Sequence, residues 1–103
     1  MSEKKIVIEI DSELKELIPG FLSKKNLETI NLKNALSQKD YKTISNISHI
    51  IKGSGGGYGF DEMSEIGSLI EQLAKKSPPD NNLIEKEISR LLDYLNRLEV
   101  KYV

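Results

Sequence analysis

From Ile84 to Tyr102, apolar residues recur at alternating four- and three-residue steps: Ile84, Ile88, Leu91, Leu95, Leu98 and Tyr102. No other stretch of the chain is as regular, and none restricts the fold as much. At about 100° per residue these six side chains form one stripe along a helix. A helix of that length is marginal by itself in water, so the stripe has to be covered. The chain must therefore supply other helices with apolar faces of their own.

Three upstream segments do so. Asp11 or Ser12 is a good N-cap, and Leu14, Leu17 and Ile18 follow at helical spacing until Pro19-Gly20 interrupts. Proline is best tolerated in a first turn, so a short helix ends near Ile18 and a longer one starts there. The longer piece carries Phe21, Leu22, Thr29, Leu32 and Leu36 on one face and ends near Gln38. Leu27 and Ile30 lie off that face; a wide buried stripe accounts for them, with an exposed docking patch as the alternative. Asp40 caps the next helix, whose apolar side is Tyr41, Ile44, Ile47, Ser48 and Ile51. Gly55, Gly56, Gly57 and Gly59 stop it as turn formers, beyond Gly53. Asp61 then caps a helix with Met63, Ile66, Ile70 and Leu73 as its core face, and Phe60 sits just before that cap as a hydrophobic staple. Ser77-Pro78-Pro79-Asp80 breaks the chain before the last helix, which begins near Asn82.

Residues 1–10 are a lead-in. Ile6, Ile8 and Ile10 alternate as in an extended segment, but with no second strand candidate no sheet is expected. The expectation is one all-α domain over residues 1–103: a short extended or helical lead-in (1–10), then an antiparallel up-and-down four-helix bundle (11–103).

Composition narrows the function. Charged residues are nearly balanced, with a formal net charge of −1, which argues against a dedicated nucleic-acid binder. No apolar run is long enough to span a membrane, and Glu9 cuts Ile6-Val7-Ile8 too short for a signal peptide. The absence of cysteine excludes disulfides and thiolate metal sites and fits the cytoplasm.

Within the second helix lies the only histidine, His49. It falls roughly 140° from Ile44, well off the apolar stripe, so it points at solvent. Ser45, Asn46, Lys42, Lys52, Gly53 and Gly56 share its face. An exposed imidazole with a lysine beside it and glycines above it is an accessible nucleophile. With no second titratable base nearby in sequence, it calls for a visiting phosphoryl group or metal. Other sites fail on detail. A phosphate-binding P-loop places its lysine after the glycines, not before them. A dinucleotide fingerprint begun at Gly53 meets Tyr58, and one begun at Gly55 meets Phe60. Zinc and hydrolase sites need ligands or partners that one histidine and no cysteine cannot supply.

His49-x-x-Lys52-Gly53-Ser54, followed by small residues, resembles the signature of histidine-containing phosphotransfer (HPt) domains. Ile18-Pro19-Gly20-Phe21-Leu22 upstream and Lys52 through Phe60 downstream are also similar to bacterial members. The resemblance implies a bacterial two-component phosphorelay protein. His49 is then the phosphoacceptor, taking its phosphoryl group from a receiver-domain aspartate or hybrid kinase and passing it to another receiver aspartate. Lys52 offsets phosphoryl charge, and Gly53, one turn past His49 inside the helix, leaves clearance for the partner. The protein would be a cytoplasmic phosphocarrier without kinase activity and with no cofactor of its own, since the magnesium belongs to the receiver. The competing reading is a helical bundle that docks a partner without being phosphorylated.

Overall fold

The computed structural model describes residues 4–103, so the first three residues of the lead-in lie outside it. Four helices follow one another as α1 (Ile18–Ser37), α2 (Tyr41–Gly57), α3 (Asp61–Lys75) and α4 (Asn81–Arg97). A strand precedes them, β1 (Ile6–Ile10), and another follows, β2 (Leu98–Tyr102). A four-helix bundle is the architecture expected from the four stripes.

The ends of the helices follow from their capping residues. Asp40 accepts from the Thr43 amide at 3.2 Å and from its hydroxyl at 2.7 Å, and Asp80 accepts from the Leu83 amide at 3.0 Å. Each satisfies an amide that the first turn leaves without an intrahelical partner. Pro19 lies in the first turn of α1, where its missing N–H goes unneeded. Only Ser12–Leu14 of the expected short helix is helical, as one 3₁₀ turn. Asp61 does not cap α3: Phe60 occupies the cap position, fully buried, and Asp61 and Glu62 instead place negative charge in the first turn.

The core gathers Ile18 and Leu32 of α1, Ile44 and Ile51 of α2, Met63, Ile66 and Ile70 of α3, and Ile84, Ile88, Leu91 and Tyr94 of α4. Phe21 packs across Tyr58 and Phe60 with ring centroids at 4.5 and 5.5 Å, closing the end of the bundle where α2 turns into α3. Three positions on α1 stand out. Lys25 is buried, its ammonium 2.6 Å from Glu28 and over the Phe21 ring. Leu27 and Ile30 are half or more exposed, at 58% and 50%, so the buried stripe is narrower than a wide-face reading requires.

The sheet overturns the expectation that none could form. β1 pairs in parallel with β2, Ile6 beside Leu98 through Ile10 beside Tyr102, and the whole bundle serves as the crossover between them. The last helix accordingly stops at Arg97, five residues short of Tyr102, where Leu98 turns extended and the Arg97 guanidinium bonds the Lys4 carbonyl at 2.7 Å. Leu98, Val100 and Tyr102 alternate with Glu99 and Lys101, so the same residues that continue a helical stripe also satisfy a strand. Pairing with Ile6, Ile8 and Ile10 decides between the two.

Candidate functional site

The site is built on the seam between α2 and α3, which run antiparallel around a tight turn. The Phe60 amide donates to Gly55 at 2.8 Å and the Gly59 amide to Gly56 at 3.2 Å, and Gly59 has φ +89°, a Schellman close that only glycine adopts without strain. Gly59 alone is thus the turn former. Gly55, Gly56 and Gly57 are the last turn of α2, and Gly55 is buried against Ser64 of α3.

Gly67 brings the two helices closest. A Cβ there would lie 2.9 Å from the Lys52 amide nitrogen and 3.0 Å from the Ser48 carbonyl oxygen, so the helices touch backbone to backbone. The Ser64 hydroxyl donates to the Lys52 carbonyl at 2.7 Å, and the buried Ser48 hydroxyl turns back onto Ile44 of its own helix. These small side chains fix the register that carries the chemistry.

His49 stands on the outer flank of this seam with 70% of its side chain exposed, as its angular position predicts. The sequence did not point to its partner. Glu71, one turn beyond Gly67 on α3, places Oε2 3.1 Å from His49 Nδ1 and 3.1 Å from Lys75 Nζ. The Glu71 side chain is only 12% exposed while its two partners lie open. Lys75, through its hydrogen bond above all, holds the Glu71 carboxyl below its ordinary value against the opposing effect of burial, and His49 adds to it. An ionised Glu71 is an acceptor only, so a hydrogen bond at this contact places a proton on Nδ1 and, in the neutral ring, leaves the lone pair on Nε2. Ser45 and Asn46 complete a shallow depression around the three.

Lys52 lies one turn along α2 from His49, exposed and outside that depression. Gly53 is inside the helix, which runs on to Gly57, and nothing lies within 4 Å of where a Cβ would stand. A roomier depression of about 410 Å³ between the end of α1 and the start of α4, lined by Lys33, Leu36 and Glu85 among others, contains no comparable constellation. Among the described residues no cluster of three His, Cys, Asp or Glu could hold a metal, and no helix is long and apolar enough to cross a membrane.

The arrangement can present one imidazole nitrogen as a nucleophile, with its tautomer fixed and its developing positive charge offset by a carboxylate. A family model described as Hpt domain matches residues 25–100, a span that takes in α2, α3 and α4 whole. No curated protein and no solved structure matches the chain.

Proposed function

The chain belongs to the Hpt domain family, and from that premise we propose that His49 is the phosphoacceptor of a phosphorelay, taking a phosphoryl group from a receiver-domain aspartate or a hybrid kinase and passing it to another receiver aspartate. Histidine phosphotransfer between kinases and receivers is the family's role. The observation that carries the assignment is the Nδ1–Glu71 contact at 3.1 Å beside an otherwise open ring.

In the forward step the Nε2 lone pair attacks phosphorus of the receiver's aspartyl phosphate. The N–P bond forms as the P–O bond to the aspartate breaks, and the aspartate leaves as a carboxylate. The Nδ1 proton stays in place, and the charge gained by the ring faces Glu71. Passing the group on reverses these bonds at the next aspartate. Lys52 contributes a cation one turn away, and Gly53 keeps the approach clear of side chains. The magnesium that activates the aspartate is the receiver's, and the chain itself acts as a carrier with no kinase chemistry.

Incubation with a phosphorylated receiver domain tests the assignment. Wild type takes up acid-labile, base-stable phosphate, and His49→Gln takes up none while its far-ultraviolet circular dichroism is unchanged. Phosphate on the variant refutes the role of His49. A wild-type chain that binds the receiver and never becomes labelled would be a docking bundle instead.

A further inference from the structure

The two-stranded sheet leaves one edge of β2 open, and its chemistry suits a second copy of the same strand. The Val103 amide donates to Ile10 and the Ser12 amide donates to Val103, both at 2.9 Å, so the backbone of Val103 faces β1. Backbone groups alternate sides along a strand, so Lys101 and Glu99 also face β1, and Tyr102, Val100 and Leu98 turn theirs to the open edge. Among the described residues, no backbone hydrogen bond outside the β1–β2 pairing involves Glu99 through Tyr102. Leu98, Val100 and Tyr102 are only half-buried on the face toward the bundle, and Glu99 and Lys101 stand exposed on the other, neither in an ion pair with another described residue.

We propose that β2 pairs antiparallel with β2 of a second copy, about a two-fold axis passing between their Val100 residues. Val100 is one of the residues whose N–H and C=O point outward, so the two copies of Val100 form a hydrogen-bonded pair. Leu98 then stands opposite Tyr102 of the second copy and covers part of its half-exposed face. Glu99 stands opposite Lys101 of the second copy, twice by symmetry, in the closely spaced non-hydrogen-bonded sites where opposite charges attract most. Displacing the axis to Leu98 would set Glu99 against Arg97 and leave Lys101 without its acidic partner. Charges on an exposed strand ordinarily deter pairing. Here they deter the registers centred on Glu99 or Lys101, which set like charges opposite one another. The open edge of β1 offers a poorer self-match: a two-fold at Ile8 sets Val7 against Glu9, and one at Val7 sets Glu9 against Lys5, which lies outside the strand. His49 lies eight residues before the end of α2, roughly 12 Å along the helix, so the pairing leaves it free.

Charge exchange on the full chain tests the proposal by sedimentation velocity, with the protein itself as the only probe. Wild type shows a concentration-dependent monomer–dimer equilibrium below about 1 mM, the range of weak complexes. Glu99→Lys and Lys101→Glu each set like charges opposite one another and weaken the dimer about tenfold or more. An equimolar mixture of the two variants, and the double exchange in one chain, restore it, which a variant that merely misfolds could not do. A wild type that stays monomeric to that concentration overturns the pairing. So do single variants that dimerise as wild type does, or a mixture that restores nothing.

Discussion

Alanine at Gly67 tests the helix seam, and alanine at Gly53 is its internal control. Both glycines lie inside helices, so both substitutions gain up to about 1 kcal/mol in helix propensity. They differ in what the new methyl meets. At Gly53 it meets nothing within 4 Å, and the gain of about 0.5–1 kcal/mol is kept, raising Tm by roughly 2–8 °C for a domain of this size. At Gly67 it meets the Lys52 amide nitrogen at 2.9 Å and the Ser48 carbonyl oxygen at 3.0 Å, neither of which can swing aside. Overpacking of that kind costs about 1–3 kcal/mol, and against backbone the upper half of the range applies. The net loss is about 1–2 kcal/mol, a fall in Tm of roughly 5–15 °C. Relief requires α3 to move off α2, which lengthens the His49–Glu71 contact one turn away, so phosphotransfer slows with stability. Thermal melts by circular dichroism and uptake from a charged receiver measure the two effects. A Gly67→Ala protein as stable as wild type, or one destabilised with normal transfer, refutes the coupling of seam to site.

Four further outcomes follow from the same structure. Glu71→Ala frees the imidazole to rotate and to change tautomer, and slows transfer about tenfold or more, whereas Glu71→Gln keeps an acceptor and recovers part of the rate; equal rates for both would remove Glu71 from the mechanism. Since Glu71 titrates below its ordinary 4.5, the stability it contributes is whole above that pH and is lost as the pH falls through the depressed value. Urea melts at stepped acid pH therefore show a shallower loss for Glu71→Gln than for wild type. Lys52→Ala shortens the phosphohistidine lifetime about two- to fivefold, as an exposed cation allows, with an unmoved Tm; unchanged decay makes it ordinary surface. Leu27→Glu with Ile30→Glu shifts stability by no more than about 0.5 kcal/mol, and a larger loss by denaturant titration would contradict their exposure.

Much of the bundle was legible because each helix announces itself by spacing, and α2 also by its cap Asp40 and by the glycines where it stops, of which Gly59 makes the turn. The sheet was not, because its partner strand is hidden inside a helical stripe. Leu98 and Tyr102 sit four apart, a spacing that both an α-helix and a strand place on one side. Only contact with a segment more than ninety residues away in sequence separates them. His49 was legible from its angle on α2. Glu71 was not, because it stands twenty-two residues away among buried positions, where a carboxylate reads as a marginal surface residue. A signal did exist. α2 and α3 form an antiparallel hairpin closed at Gly59, which lies ten residues after His49 and twelve before Glu71. Counting outward from the turn brings the two side by side.

On the role proposed for His49, the same contacts explain how a carboxylate can sit beside a phosphoacceptor. A free Glu71 would repel an incoming phosphoryl group carrying roughly two negative charges. Its Oε2 is engaged from both sides, by His49 Nδ1 and by the Lys75 ammonium nitrogen, each at 3.1 Å. Glu71 and Lys75 together present no net charge, and Lys52 leaves the neighbourhood positive before any partner arrives. The proposed transfer would add positive charge to the ring on the side of Nδ1 and negative charge on the side of Nε2. The carboxylate faces the first and the solvent, with Lys52, the second. Burial of Glu71 behind its two exposed partners keeps that order, because its charge is felt through Nδ1 and not across open water. On that proposal, the single histidine depends on a glycine seam that sets a carboxylate on the neighbouring helix within reach of the ring.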